Sequence, residues 1–249
     1  MAARRARVEA EGSVRTLRIL HKWLGLLVGI QLLLWTVSGL VFAWLDHQDV
    51  AGERSVRVPP SVAIPGDSRV LEPAILLADY ANLEIREVTL MPVQDIWVYR
   101  VRLPSRIELR RAADGARFEI AEPVIRDLAR SFYSGEGSLK TVSLLAEPTL
   151  EVRNAGPVWR ADFDDRVRSS LYFAAEDGRF VAARNDTWRL FDFFWMLHTM
   201  DYRGRDNFNH PLVILCGTGA LWLGISGAFL LWQAFRPVRR LASESRSKT

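Results

Sequence analysis

WLGLLVGIQLLLWTVSGLVFAWL, residues 23 to 45, runs without a single charged side chain, and so does PLVILCGTGALWLGISGAFLLWQAF, residues 211 to 235. Each exceeds the roughly 20 residues with which an α-helix crosses a hydrocarbon core. Both are predicted transmembrane helices. The first is expected to remain in place as an anchor: its apolar part is about twice the length usual in a signal peptide. Its exit, Phe42-Ala43-Trp44-Leu45-Asp46-His47-Gln48-Asp49, also offers no small-x-small cleavage site.

The flanks set an orientation. Arg4, Arg5, Arg7, Arg15, Arg18 and Lys22 precede the first run, against Glu9 and Glu11. Arg236, Arg239, Arg240, Arg246 and Lys248 follow the second, against Glu244, and the stretch between carries a slight acidic excess. The positive-inside rule places both termini in the cytoplasm. The middle of the chain is then expected outside a bacterial inner membrane, in the periplasm. The formal net charge of +4 is positive-inside charge, which argues against a nucleic-acid partner. The single cysteine, Cys216, falls inside the second run and reads as a packing residue. An external domain without disulfides must be held by its own core.

The expected layout is a basic cytoplasmic tail (1–22), transmembrane helix 1 (23–45) and an extracytoplasmic domain (46–186). An aromatic interfacial helix and loop (187–210), transmembrane helix 2 (211–235) and a second basic tail (236–249) complete it. Within the domain, Glu72–Leu83 reads as a helix, followed by strands at 84–92, 95–103, 107–112 and 117–121, with Asp114-Gly115 as a tight turn. The pattern returns with a helix at Glu122–Gly135, strands at 138–147, 158–165, 170–176 and 179–184, and Asp177-Gly178 as the turn. Trp97 precedes Asp114 by 17 residues and Trp159 precedes Asp177 by 18. A unit used twice, over about 70–121 and 122–186, is the reading. The expected fold class is an α+β membrane protein in which two transmembrane helices flank two helix-plus-antiparallel-sheet repeats.

All four histidines, His21, His47, His198 and His210, lie at or near the ends of the two apolar runs. On a helical wheel Gly25, Gly29, Leu32, Thr36, Gly39 and Ala43 fall within about 80° of His21, and Gly217, Leu221, Gly224 and Ala228 within about 40° of His210. A small-residue face beneath a histidine leaves room for a porphyrin or for another helix. Neutral imidazole ligates haem iron well, and two axial histidines saturate it, giving an electron carrier. No C-x-x-C-H occurs, so such a haem is of b type, and no zinc pattern such as H-E-x-x-H accompanies it. The plainer reading is that these imidazoles sit among lipid headgroups, with His21 beside Lys22 as one more cytoplasmic cation.

The segments His21-Lys22-Trp23-Leu24-Gly25 and Leu197-His198-Thr199-Met200-Asp201-Tyr202 sharpen the picture. With the helix–strand units between them, the chain resembles the PepSY-domain membrane proteins of the PepSY-associated transmembrane family over nearly its whole length. The resemblance implies PepSY-like repeats. Larger relatives with four transmembrane helices act as haem-containing reductases in siderophore and iron uptake, and others are thought to bind or restrain peptidases. This chain has only two apolar runs, so a full four-helix haem cage requires self-association or a partner membrane subunit.

The expected ligands of haem b are then His198, His21, His47 and His210, with His198 and His21 foremost as donors to the iron. One outer haem is expected between His198 and either His47 or His210, and an inner one between His21 residues of two copies. Asp192 and Asp201 are candidates to orient an imidazole, or else cap turns. The run Arg106, Arg110, Arg111 and Arg117 reads as a solvated strand face, the alternative being a site for an anionic ligand. No dinucleotide fingerprint, phosphate loop or nucleophile elbow appears, so any cytoplasmic electron donor must be a separate molecule. The leading expectation is an inner-membrane protein passing electrons to an external acceptor such as a ferric chelate. The alternative is a non-enzymatic, lipid-anchored module whose external domain grips a peptide, a peptidase or a larger membrane complex.

Overall fold

The computed structural model of the chain describes residues 2–59, 70–147, 149–153 and 155–235; the basic tail expected at 236–249 lies outside them. The helices are α1 (Ala2–Trp44), α2 (His47–Ala51), α3 (Pro73–Leu77), α4 (Glu122–Phe132), α5 (Asp186–Thr199) and α6 (Pro211–Ala234). Between α3 and α4 run β1 (Glu87–Val93), β2 (Ile96–Arg102), β3 (Ile107–Arg111) and β4 (Arg117–Phe118). Between α4 and α5 run β5 (Leu139–Leu145), β6 (Val158–Phe163), β7 (Ser170–Ala174) and β8 (Phe180–Arg184). The chain divides into two units, Val41–Phe194 and the residues on either side of it.

Val41–Phe194 is an α+β unit with two separate antiparallel sheets, ordered β1-β2-β3-β4 and β5-β6-β7-β8. The last hairpin of each turns on one of the Asp-Gly pairs. Gly115 and Gly178 have φ of 71° and 69°, the left-handed region that glycine enters without a steric penalty. Pro92 is accommodated in β1 because that strand pairs on one side only.

Alternation along each strand decides which layer a side chain joins. On β2, Val98 points into a core with Ile125, Leu128 and Ala129 of α4, while Tyr99 and Val101 pack on the opposite face with Leu76 and Tyr80. The apolar spacing 125, 128, 129, 132 gives α4 one buried face. Its core also takes in Ala161, Phe163, Leu171 and Phe173 of the second sheet. A single helix thus joins two four-stranded sheets that remain distinct. Arg100 adds a polar tie, reaching Asp177 in the β7–β8 turn at 3.4 Å.

Some elements are shorter than the sequence pattern suggests. The helix expected over Glu72–Leu83 closes at Leu77 and tightens into a 3₁₀ turn at Ala78–Tyr80. Tertiary bonds explain it: the Tyr80 hydroxyl donates to Glu108 at 2.8 Å and accepts from Arg110 at 2.9 Å. The strand expected at 117–121 keeps only Arg117 and Phe118 in the ladder.

Two helical stretches are long and apolar enough to cross a membrane: Gly12–Trp44 within α1, which runs from the other unit up to Leu40 and on into this one, and the whole of α6 in the other unit. Their apolar side chains remain largely uncovered: Leu27 is 76% exposed and Leu215 69%. Helices apolar on all sides are suited to lipid rather than water. The two helices meet along one line, where a Cβ on Gly219 would stand 3.2 Å from Val28 and one on Gly25 3.8 Å from Leu223.

That line takes in only part of the small-residue stripe, Gly25 on α1 and Gly217 on α6. On α1 the buried residues are Val28, Gln31 and Ser38, whereas a Cβ on Gly29 or Gly39 would have nothing described within 4 Å. On α6 the buried residues are Leu223 and Ser226, with Leu221 exposed and Gly224 open in the same sense. The inner faces mix polar groups that find partners, Gln31, Ser38 and Ser226, with the small residues Gly25, Gly217, Gly219 and Gly227, which allow close approach.

Candidate functional site

Three α1 side chains, Gln31, Trp35 and Ser38, are spaced i, i+4, i+7 and therefore share one helix face. Together they receive the end of α5. A helix leaves its last carbonyls without intrahelical partners. Here Gln31 Nε2 donates to the Leu197 carbonyl at 3.1 Å and Trp35 Nε1 to the His198 carbonyl at 2.7 Å. The third residue meets the imidazole itself, with Ser38 Oγ 2.8 Å from His198 Nδ1.

The direction of that last bond follows from a proton count. A serine hydroxyl has one proton to give. Ser38 spends it on its own helix, donating to the Leu34 carbonyl at 2.7 Å, as serines in apolar helices do. His198 Nδ1–H is therefore the donor to Ser38 Oγ. A neutral His198 carries its proton on Nδ1 and its lone pair on Nε2, the form in which histidine ligates a metal through Nε2.

His21 repeats the arrangement on other helices. Its Nδ1 lies 2.8 Å from Ser226 Oγ of α6, and Ser226 donates to the Leu223 carbonyl at 3.2 Å. With the Ser226 proton on that carbonyl, His21 Nδ1–H donates and Nε2 bears the lone pair; with it on Nδ1, the tautomer is reversed. Gly227 makes the approach possible: a Cβ there would stand 3.2 Å from His21 Cε1. Trp222 flanks the ring, its centroid 6.4 Å away.

The two anchored imidazoles do not meet. His21 and Ser38 both belong to α1, and 17 residues at 1.5 Å each separate them by about 25 Å along the axis. One iron cannot be shared across that span. The chain thus offers an anchored imidazole at each of two levels.

The remaining histidines are placed differently. His210 is the N-cap of α6, its Nδ1 accepting from the Leu212 amide at a long 3.4 Å. In neutral form its proton then sits on Nε2, the opposite tautomer. His47 opens α2 and is exposed. Asp192 pairs with Arg153. Asp201 folds the loop after α5, its carboxylate accepting from the amides of Arg203, Gly204, Asp206 and Asn207. Burial works against its charge, yet these four amides hold its pKa below the usual carboxylate range. Trp195 Nε1 donates to the Arg205 carbonyl at 2.9 Å and pins the same loop. The group seen to orient His198 is thus Ser38, a residue the sequence pattern did not single out. The available signal was the polar spacing of Gln31 and Ser38 inside an uncharged run.

Among the described residues no cluster of three or more His, Cys, Asp or Glu side chains is arranged for a metal ion. Cys216 is a free, half-buried thiol. On the first sheet Arg106 pairs with Glu108, Arg111 with Asp114 and Arg117 with Glu119, while Arg110 engages Tyr80 and Glu108. Arg110 and Arg111 are successive on β3 and lie on opposite sides of the sheet, so the run is not one face, and each of the four has an acid beside it.

Comparison with protein-family models gives one description, PepSY-associated TM region, matching residues 2–234. Comparisons with curated proteins and with solved structures give no match.

Proposed function

Since the chain belongs to the membrane-associated PepSY-associated TM region family, we propose that it is an inner-membrane electron-transfer protein holding b-type haem on His198 and His21. In this reading α1 and α6 each cross the membrane. Both termini are cytoplasmic, as the basic flanks imply, and the α+β unit is periplasmic. The packing of α1 on α6 through Val28 and Gly219 supports an anchor that is kept rather than cleaved.

The observation that carries the reading is the pair of serine-held imidazoles. Each ring is held through Nδ1, which leaves Nε2 as the nitrogen that a metal-ligating histidine would use in the Nδ1–H form. Haem would supply the one-electron chemistry. The chain's own residues set the ring plane through Ser38 and Ser226, the clearance through Gly227, and the position of α5 through Gln31 and Trp35.

Six-coordinate ligation needs two imidazoles at each level, and one chain brings one anchored imidazole to each. A second copy or a partner membrane subunit must supply the others. Electrons would enter from a separate cytoplasmic donor and leave to an external oxidant, of which a ferric chelate is the class implied by the family resemblance. His210 stands behind His198 and His21 as a ligand because its Nδ1 is engaged as an acceptor.

The test is the visible spectrum of purified wild type against His198→Ala and His21→Ala. Loss of the reduced b-type bands in the variants supports the reading. A colourless wild type favours the membrane-anchored binding module instead. One feature suits that alternative: β5 pairs on one side only, and its open edge is available for an added strand.

A further inference from the structure

The far side of the second sheet is divided between an apolar half and a polar half. Val158, Tyr172 and Ala182 are covered by Val152 from the loop before β6. Beside them lies an open cleft of about 480 Å³ whose floor is made by Thr141, Arg160, Asp162 and Ser170. Arg168 and Arg189 wall it, and Lys140 stands at its rim. Four cations and one acid line a space of the size that takes a small molecule.

The cations differ in what they have left to give. Arg189 is saturated, donating to Glu151, Asp186, Ser170 and the Arg168 carbonyl. It braces the wall. Arg160 is steadied at one end by Asp162 at 2.8 Å and by Ser170, which leaves Nη1 without a protein partner among the described residues. Arg168 spends only Nε, on Asp186. Lys140 has no described partner. A guanidinium carries five donor N–H groups and an ammonium three, so several donors converge with no acceptor assigned.

Backbone irregularities present two of these residues. The β5–β6 register slips between Leu139 and Thr141, so Lys140 is the extra residue of a bulge. Bulges re-aim side chains and gather next to sites. Arg168 has φ of 50°, a left-handed conformation disfavoured for a non-glycine residue and enriched at ligand clamps.

We propose that this cleft binds a small oxyanion bearing two or more carboxylate or phosphate groups, held by Lys140, Arg160 and Arg168 over the Ser170 floor. Three separated cations call for charge at more than one point. Ser170 is 1% exposed and its hydroxyl proton is committed to Asp162, so the floor is set by its own hydrogen bonds. The site is independent of the haem reading and is assayed without iron or haem.

The experiment is calorimetric titration of the full-length protein in detergent with trisodium citrate and, separately, with inorganic pyrophosphate, at constant ionic strength. Saturable one-site binding is expected, weakened about 5- to 10-fold by Lys140→Ala or Arg168→Ala, corresponding to roughly 1 kcal/mol or a little more each. Both side chains are exposed, so these variants keep the fold; Arg160→Gln, with intact circular dichroism, is expected to weaken binding further. The tighter of the two probes tells carboxylate from phosphate. Arg117→Ala, on the other sheet, serves as the unaffected control. No saturable heat with either probe, or wild-type affinity in both Lys140→Ala and Arg168→Ala, would overturn the proposal.

Discussion

Replacing Ser38 by alanine removes one oxygen and isolates one proton. Ser38 is fully buried, and its Oγ accepts the His198 Nδ1–H at 2.8 Å. Without it the donor has no acceptor in that position, and an unsatisfied buried donor costs about 1–3 kcal/mol. The loss falls on the imidazole's orientation, because the Trp35 bond to the His198 carbonyl still holds the backbone of α5. If His198 ligates haem, the affinity of that site should drop about 10- to 100-fold, the usual effect of losing a residue that orients a metal ligand. That factor equals about 1.4–2.8 kcal/mol, the same range reached from the isolated proton. The assay is haemin titration of the detergent-solubilised apoprotein followed by absorbance. Ser38→Ala is measured alone and in a His198→Ala background. Coupling of about 1–2 kcal/mol is expected between the two residues. Equal haemin affinity in wild type and Ser38→Ala, or additive effects of the two substitutions, would refute the assigned bond direction and its role.

Three further outcomes follow from the same geometry. Gly227→Val, whose Cβ would start 3.2 Å from His21 Cε1, should displace that ring and lose the His21 haem while sparing the His198 haem, read as half the pyridine haemochrome signal. Gly52→Ala meets a φ of 73° and a 2.8 Å approach to Ala183 Cβ; about 2–3 kcal/mol of destabilisation is expected, seen as a thermal midpoint lower by roughly 5–10 °C. Glu151 is disfavoured as a charge by burial, but bonds from Arg189 and Tyr172 outweigh this and lower its pKa. Its folded value lies below its unfolded one, so its stabilisation is present above the ordinary carboxylate range and fades as pH falls through the folded value. Thermal midpoints between about pH 5 and pH 3 should therefore fall more steeply in wild type than in Glu151→Gln.

The strands and turns were legible because their signals are local. Alternation, two Asp-Gly pairs and the apolar face of α4 each act within a few residues, and each is found in place. The two apolar runs were equally plain, since a helix is read from length and charge alone. The facing of those helices was not. A wheel marks the glycines, some of which do pack, but it does not find Gln31, Ser38 and Ser226, whose hydrogen bonds reach residues 166, 160 and 205 positions away. Such partners are visible only once the chain is folded. The same limit applies to the histidines: the sequence places all four near the ends of the apolar runs, but only the folded chain shows which of them are held by a serine. The cationic cleft escaped for a related reason, because Lys140, Arg160, Arg168 and Arg189 lie on four separate segments and form no run. The arginines that do form a run, on β3 and β4, are paired with their neighbours.

The most direct measurement is the visible spectrum of the purified protein from haem-replete cells, oxidised and then dithionite-reduced. Sharp reduced bands of six-coordinate b-type haem, diminished in both His198→Ala and His21→Ala, are expected. A featureless spectrum from folded protein, or bands unchanged in both variants, would contradict haem ligation by these two histidines.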